Sequence, residues 1–547
     1  MAAFAMIYTL VKVGRQIYPT QGVNGTFNSN ATHALHPVWW DAPNPEDGFT
    51  PLIRLQNEVQ RNLRLRGPAA PNRIGITAFI TLTAARNFSM PTTAFISPDD
   101  IRKGFSKAMS DMYRDEVPLY GALMELVADT NRCVLAADPS LAQHLQRTGE
   151  IQRLDMERHG AIRLGTAAEL ATIRRLFAVM GMQPVGYYDL TPAGVPVHST
   201  AFRAVHERAL QTSPFRVFTS LLRLELIESP ELRAFAEAAL AKRSIFTPGA
   251  LALIEQAERD GGLNAGDAEA FIHQALETFR WHHTATVTAA QYQQLSEQHR
   301  LIADVVAFKG PHINHLTPRT LDIDQVQAAM PGKGITPKAV IEGPPRRDCP
   351  ILLRQTSFKA LDETIAFTDA QGSHSARFGE IEQRGVALTP KGRTLYDQLL
   401  NAARDALGAF PNEANAARYM QLMEQHFQAF PDDHTQMREQ GLAYFRYFAT
   451  DKGLAARGHA DQPRTLDALI AAGHVDVEPL VYEDFLPVSA AGIFQSNLGD
   501  AAQSHYAANS NQAEFEQALG RKTIDELMLY AETQQRSIDE CTHALLA

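Results

Sequence analysis

Two side chains capable of metal or anion chemistry lie four residues apart in Glu157-Arg-His-Gly-Ala-Ile-Arg-Leu-Gly165. This segment is predicted to be a strand, so His159 and Arg163 would point to the same face of a sheet. A neutral imidazole can ligate a divalent metal, and a guanidinium can hold a carboxylate through paired hydrogen bonds. Exposed, solvated side chains are the commoner explanation of such spacing, so the pair alone does not decide the chemistry.

A second histidine and arginine occur in Asn314-His-Leu-Thr-Pro-Arg319, which is predicted to run from a strand into a loop. His315 is a candidate second metal ligand, and Arg319 is a candidate second contact for an anion. His312 and His315 also form a His-x-x-His pair, which by itself is a weak signal. A loop histidine without a ligand is the alternative at this position.

Two carboxylates lie two residues apart in Phe378-Gly-Glu-Ile-Glu-Gln-Arg-Gly385. In a strand, Glu380 and Glu382 would share one face. A buried carboxylate is costly unless a cation neutralises it, whereas a solvated face would need no partner. Two histidines and one carboxylate from separate strands could form the facial triad that holds non-haem Fe(II), with positions left for substrate and O₂.

Other patterns give weaker signals. His282 and His283 form a rival pair, but adjacent strand residues face opposite ways, so a single metal would not reach both. The segment Gly332-Lys-Gly334 lacks the upstream glycine and the following Ser or Thr of a phosphate-binding loop. The sequence contains neither a Gly-x-Ser-x-Gly nucleophile turn nor a His-Glu-x-x-His helix. Nucleotide-binding, serine-hydrolase and zinc-protease functions are therefore disfavoured.

The elements around these residues predict an α+β fold. Thr166-Ala-Ala-Glu169 has capping-box spacing and should begin a helix directly after the first strand. Further strands are predicted at 186–190, 195–202 and 215–227, and strand-like and loop segments at 301–393. One amphipathic helix is expected from Ser97 to about Thr130, and a last helix from Gln512 to Leu546. Helices should dominate two insertions, at about 229–300 and 394–475.

Composition excludes several classes of partner. The chain has 547 residues and a net charge of −10, which argues against nucleic acid or an anionic membrane as the main partner. Its three cysteines exclude a disulfide framework, so the reducing cytoplasm is the expected location. The sequence contains no run of 18 consecutive apolar residues, so no transmembrane helix is predicted.

The first 89 residues differ in charge from the rest of the chain. They carry eight basic and four acidic residues, which leaves 43 basic and 57 acidic residues for 90–547. We expect residues 1–89 to be a poorly ordered basic leader, with Met90 as an alternative start of the native protein. Residues 90–547 are expected to form a single elaborated catalytic domain.

Taken in order, residues 157–165, 314–319, 378–385 and Phe485-Leu-Pro-Val-Ser489 resemble motifs of the 2-oxoadipate dioxygenase/decarboxylase family. The resemblance runs from about Met90 to near the end of the chain, and four separated motifs in the right order are a specific signal. This family is related in fold to the vicinal oxygen chelate enzymes. The resemblance therefore implies a vicinal-oxygen-chelate-like central sheet that holds a metal and bears large helical insertions.

The resemblance also implies a set of metal ligands, namely His159, His315 and Glu380. Glu380 is preferred because hydroxyphenylpyruvate dioxygenases, which share the fold, place the ligand three residues before a matching Gln-Arg. Glu382 remains an open alternative. The implied metal is Fe(II).

Substrate contacts are implied in the same way. His159 and His315 would adjoin the bound substrate, and Arg163 would contact a substrate carboxylate. Val488 would line the substrate pocket, with its backbone available to the substrate, and Ser489 lies beside it.

The implied reaction converts 2-oxoadipate and O₂ into (R)-2-hydroxyglutarate and CO₂, as in lysine degradation, without an external 2-oxo acid cosubstrate. The expected partners are therefore a small 2-oxo dicarboxylate and O₂. Two alternatives stay open at this point. One is a metal-dependent isomerase or lyase of the same fold, which would typically add a fourth protein ligand. The other is a non-catalytic sensor of 2-oxo acids.

Overall fold

The computed structural model describes residues 94–358, 362–375, 377–409, 411–486 and 511–546. All of them fall within the unit Thr92–Ala547. The expected leader, residues 1–89, lies outside the described residues, as do Val488 and Ser489. The expectations for the leader and for a single catalytic domain therefore stay predictions.

A central sheet of five strands carries His159 and Arg163. Its strands are β1 Arg158–Leu164, β2 Gln183–Asp189, β3 Val197–Arg203, β4 Arg216–Leu222 and β5 Leu316–Pro318. The spatial order is β2-β3-β4-β1-β5. Strand β1 pairs in parallel with β4 and antiparallel with β5. His159 therefore lies on a strand that is hydrogen-bonded on both sides, which fixes its position firmly.

Among the residues that the structure describes, helices are the commonest elements outside this sheet. Helices α1 to α9 are Pro98–Glu116, Tyr120–Ala137, Pro139–Arg147, Ala167–Val179, Glu207–Thr212, Pro230–Leu240, Pro248–Asp260, Ala265–Leu276 and Ala289–Gln298. Helices α10 to α18 are Arg300–Ala307, Ile323–Ala329, Pro390–Leu407, Ala416–Phe427, His434–Glu439, Asp451–Ala455, Leu466–Ala471, Gln512–Leu519 and Glu526–Leu546.

The helix after β1 shows why the local sequence folds as predicted. Thr166 Oγ1 accepts from the Glu169 amide at 3.2 Å, and the Glu169 carboxylate accepts from the Thr166 amide at 3.3 Å. These reciprocal bonds form the predicted capping box of α4. One face of α4 is buried through Leu170, Ile173 and Leu176, and that face packs the helix into the core. Strand β1 is thus followed by a crossover helix whose N-terminus is stabilised by a capping box.

Three pairs of shorter strands complete the β-structure. The strands are β6 Leu353–Ser357, β7 Asp362–Ala366, β8 Gln371–Ser375, β9 Glu380–Arg384, β10 Phe445–Ala449 and β11 Val475–Pro479. They pair as β6-β9, β7-β8 and β10-β11. A bridge between Arg319 and Glu382 places β9 beside the end of β5. The acidic strand is thereby brought next to the two segments that carry the candidate histidines.

Several details of the predicted elements were wrong. The first helix is interrupted at Leu119, whose φ of 71° is left-handed, and continues as α2. Residues 301–307 belong to helix α10 instead of a strand or loop. The last helix is divided at Gly520, whose φ is 72°. Helices are the commonest elements of 394–475 as expected, and the short strand β10 lies among them.

The α+β prediction is confirmed, with a small mixed sheet and many helices. Two large apolar clusters lie around the central sheet, and β1 contributes Ala161 to one and Ile162 to the other. Within the part of the chain that the structure describes, no helix is both long enough and apolar enough to span a bilayer.

Candidate metal centre

Three buried side chains from three separate segments meet beside the central sheet. His159 lies at the start of β1, His315 immediately precedes β5, and Glu380 begins β9. One potential ligand atom of each lies within 4.8 Å of the other two. All three residues have an exposed fraction of 0%. The arrangement matches the two-histidine, one-carboxylate set that holds divalent metals such as iron.

The hydrogen bonds around His315 determine which of its ring nitrogens carries the proton. Thr317 Oγ1 donates to Glu380 Oε1 at 2.9 Å and therefore accepts from His315 Nδ1, also at 2.9 Å. With the proton on Nδ1, the Nε2 atom carries a lone pair. This Nε2 is buried and has no hydrogen-bond partner among the described residues. Burial also lowers the pKa of His315 to about 4, so the neutral ring is ready to ligate at neutral pH.

His159 lies between two carboxylates. Its Nε2 is 3.0 Å from Glu380 Oε1, and its Nδ1 is 2.9 Å from Glu382 Oε2. Burial acts to lower the pKa of His159, but the charges of Glu382 and Glu380 outweigh burial and leave this pKa raised. The arrangement thus favours a proton or a metal cation between Nε2 and the Glu380 carboxylate.

The two carboxylates of β9 have different partners. Glu380 Oε1 accepts from Gln355 Nε2 at 2.8 Å, whereas its Oε2 is buried without a partner among the described residues. Glu382 is held by Arg384 through two contacts of 2.8 and 2.9 Å. Burial acts to raise the pKa of Glu382, but Arg384 and His159 lower it to about 2. Glu380 thus offers an open oxygen to a metal, while Glu382 can orient His159 from behind.

A buried network of opposite charges lies behind Glu382. Arg319 pairs with Glu150 at 2.7 Å and with Glu157 at 3.2 Å. Arg216 also contacts Glu157, at 2.7 Å. Arg319 was a candidate anion contact, but here it compensates buried acids. Paired charges of this kind avoid the cost of an isolated buried ion and give the centre a rigid polar backing.

Proteins of one family match most of this chain. The sequence profile described as 2-oxoadipate dioxygenase/decarboxylase matches residues 105–497. A Pseudomonas putida protein named 2-oxoadipate dioxygenase/decarboxylase is 70% identical over 459 residues, which cover 83% of this chain and 99% of the relative. The chain belongs to the 2-oxoadipate dioxygenase/decarboxylase family. An Escherichia coli protein of the same name is 57% identical over 447 residues, covering 82% of this chain and 98% of the relative.

A solved structure of the family supports the same assignment. Hydroxyglutarate synthase from Pseudomonas putida in complex with 2-oxoadipate matches with a TM-score of 0.78 and 69% identity. The match covers 82% of this chain and 99% of that one. The resemblance to this family and the expected enzyme class are confirmed, and this chain is a dioxygenase/decarboxylase of that family.

Within the family fold, Arg163 lies farther along β1 than the three-residue cluster. Its Nη1 atom contacts Asp304 Oδ2 at 2.7 Å. Asp304, His312 and His374 form a second group of buried side chains that could hold a metal. The His-x-x-His spacing is therefore misleading, because His312 and His315 belong to different groups.

The rival histidine pair lies in an irregular segment. His283 Nδ1 accepts a hydrogen bond from Trp281 Nε1 at 3.1 Å. Neither His282 nor His283 belongs to a metal-capable group among the described residues.

Sequence reasoning missed several residues around the centre. Thr317 could have been found, because it lies two residues after His315 and so shares its face. Gln355 gave no local signal, since it comes from β6 and meets Glu380 only through strand pairing. The ring of Phe485 packs edge-on to His159 at 5.0 Å between centroids, and such apolar packing helps to exclude water.

Proposed function

We propose that this chain converts 2-oxoadipate and O₂ into (R)-2-hydroxyglutarate and CO₂ with Fe(II) held by His159, His315 and Glu380. The observation that carries the proposal is the buried cluster of His159, His315 and Glu380, in which one potential ligand atom of each residue lies within 4.8 Å of the other two. Family membership and a relative's complex with 2-oxoadipate support the substrate assignment.

The donor set suits ferrous iron because two imidazoles and one carboxylate leave positions for substrate and O₂. When bound, iron would supply the O₂ activation that the side chains of this protein cannot provide. The Glu382 carboxylate, whose Oε2 lies 2.9 Å from His159 Nδ1, would hold the ring in place through its charge, and Arg384 would hold Glu382 ionised. The chain itself would therefore contribute three metal ligands that are fixed in place, buried from water and held in defined protonation states.

The substrate carries two carboxylates and must be bound by an acidic protein. Arg163 lies on β1 four residues after His159, and we assign it to a substrate carboxylate, as the family motif implies. A desolvated charge-assisted pair of this kind discriminates strongly against substrates that lack the charge. Val488 and Ser489 lie outside the described residues, so their contact with the substrate stays a prediction from the family motif.

Turnover of the Fe(II)-loaded protein tests this proposal. Protein reconstituted with Fe(II) without air, then mixed with 2-oxoadipate and O₂, should consume O₂ and release CO₂ in equal amounts. Protein loaded with Zn(II) is the control and should do neither. Turnover by the zinc protein, or turnover without O₂, would instead favour an isomerase or lyase.

The residue assignments are tested separately. His159→Ala should lose both iron and turnover, because it removes a ligand. Arg163→Ala should retain iron but bind 2-oxoadipate more weakly, by about tenfold or more. Full activity in either variant would refute the role assigned to that residue.

A further inference from the structure

A buried chain of hydrogen bonds ends on Arg163. Tyr292 Oη contacts His374 Nδ1 at 2.7 Å, and His374 Nε2 contacts Asp304 Oδ1 at 2.9 Å. The other oxygen, Asp304 Oδ2, accepts from Arg163 Nη1 at 2.7 Å. The four residues come from α9, β8, α10 and β1, so four separate elements converge on one guanidinium.

The protonation pattern of this chain is self-consistent. An ionised Asp304 can only accept hydrogen bonds, so His374 must donate from Nε2. With Nε2 donating to Asp304, the Nδ1 atom of His374 is the one that faces the Tyr292 hydroxyl, which can donate to it. Burial acts to raise the pKa of Asp304, but the nearby His312, His374 and Arg163 hold it well below its usual range. The Asp304 carboxylate is therefore ionised, and each of its oxygens accepts a hydrogen bond.

We propose that Asp304 is the positioning residue for Arg163, and that it sets the affinity for the dicarboxylate substrate through that arginine. This inference rests on the proposed function, in which Arg163 contacts a substrate carboxylate. Asp304 has an exposed fraction of 7% and His374 of 6%. A carboxylate fixed at both oxygens restricts the long arginine side chain, which would otherwise lose rotamer freedom when the substrate binds.

The same cluster has the composition of a second metal site, but its contacts favour positioning. Asp304 Oδ1 is also 3.3 Å from His312 Nε2, so one oxygen is shared between two imidazoles. A cation bound there would lie next to the guanidinium held by the same carboxylate, and like charges at such distances repel strongly. The Arg163 contact is therefore incompatible with an easily occupied metal site.

If Asp304 acted only through its negative charge, its removal would have the opposite effect on substrate binding from the one that positioning predicts. If its charge merely opposed the anionic substrate, its removal would tighten binding. If it positions Arg163, Asp304→Ala should weaken binding of 2-oxoadipate by about tenfold, the usual scale for losing a charge-assisted hydrogen bond. Asp304→Asn retains one carbonyl oxygen for Arg163 and should fall between the parent and the alanine variant.

A double-mutant cycle separates positioning from general structural damage. The dissociation constant of 2-oxoadipate is measured by calorimetry on Fe(II)-loaded full-length protein without O₂. It is compared for the parent, Asp304→Ala, Arg163→Ala and the double variant. We expect the Asp304 change to raise the constant about tenfold in the parent and to have no further effect when Arg163 is already alanine. Where Asp304→Ala does not fold, Asp304→Asn takes its place, with a smaller rise in the parent and again none in the Arg163→Ala background.

The matched control is the surface pair of Arg175 and Glu258, which are joined by contacts of 2.8 and 2.6 Å. Glu258→Ala should leave the dissociation constant unchanged. Equal effects of the Asp304 change in both backgrounds, or tighter binding by Asp304→Ala, would overturn the proposal. A second equivalent of metal that disappears in His374→Gln would also overturn it. Absence of 2-oxoadipate binding by the unaltered protein would refute the proposed function itself, which is a distinct result.

Discussion

Two glutamates of one strand have different tasks although both contact His159. Glu380 keeps a buried oxygen without a partner among the described residues, whereas both oxygens of Glu382 are held by Arg384. The sequence could not choose between them, because alternation puts both on one face. The choice follows from neighbours that only the fold supplies.

Substitution of each glutamate by glutamine should separate these tasks. Glu380→Gln removes a metal ligand and should abolish stoichiometric Fe(II) binding. Glu382→Gln removes only the support of His159, so Fe(II) affinity should fall by about 10- to 100-fold. Metal titration under anaerobic conditions measures both. If Glu382→Gln lost iron completely and Glu380→Gln retained it, the ligand assignment would be reversed.

Thr317 should also affect Fe(II) affinity, although it is not itself a proposed ligand. Thr317→Val is close to isosteric but removes both the acceptor for His315 Nδ1 and the donor to Glu380. The proton is then no longer held on Nδ1, so Fe(II) affinity should fall by about tenfold or more. Thr317→Ser retains the hydroxyl and serves as the control. An unchanged affinity in Thr317→Val would show that the tautomer of His315 is set in another way.

At the scale of elements, the centre depends on how closely two strands approach. A Cβ atom added at Gly160 would lie 2.8 Å from the backbone oxygen of His315 and 2.5 Å from Ile313 Cδ1. The first contact involves backbone and cannot be relieved by a rotamer change. The glycine that follows His159 is therefore required for β1 to lie against the His315 segment.

Gly160→Ala should accordingly push the His315 segment away from β1. We expect a large loss of Fe(II) affinity and a destabilisation of about 1–3 kcal/mol, as for overpacked cores. Gly261→Ala tests the opposite situation, because its Cβ would meet nothing within 4 Å, although its φ of 83° adds backbone strain. If Gly160→Ala bound iron normally while Gly261→Ala lost it, close strand approach would not explain the motif.

The last helix, α18, begins with a glutamate in an unfavourable setting. Burial and the nearby Asp484 raise the pKa of Glu526 from 4.5 to about 7. The folded protein therefore holds this proton more tightly than the unfolded chain does. By linkage, this contribution to the free energy of unfolding is full below about pH 4.5 and is lost as the pH rises towards 7.

Glu526→Gln should remove this loss, because glutamine does not ionise. Relative to the parent, its free energy of unfolding should be higher at pH 8 than at pH 5. Urea denaturation at the two pH values measures the difference. Asp525→Asn is the control, and an equal change at both pH values for Glu526→Gln would contradict the raised pKa.

At the scale of the whole molecule, features set by residues close together in sequence were predicted. Contacts between residues far apart in sequence were missed. The capping box at Thr166 and the strand around His159 are local patterns, and both were predicted. Residues 301–307 are all buried, and an apolar segment this short is compatible with either a buried helix or a buried strand, so strand-like or loop structure was expected in place of helix. Asp304 gave no signal as a partner of Arg163, because the two lie 141 residues apart.

Whether residues 1–89 contribute to the enzyme is also a question about the whole molecule. The Pseudomonas putida relative is matched over 99% of its length by 83% of this chain. We propose that a chain beginning at Met90 folds and turns over 2-oxoadipate as the full chain does. Thermal unfolding and kcat/KM of the two forms check this, and loss of either property would show that residues 1–89 contribute to the enzyme.

The central claim is that one dicarboxylate and one O₂ react at the iron held by His159, His315 and Glu380. The most direct measurement is a single turnover of Fe(II)-loaded protein with 2-oxoadipate and ¹⁸O₂, followed by mass spectrometry of both products. One oxygen atom should form the new carboxylate and the other the hydroxyl group, so 2-hydroxyglutarate should carry both labels while CO₂ from C1 stays unlabelled. A hydroxyl group derived from water, or product formed without uptake of O₂, would contradict the account.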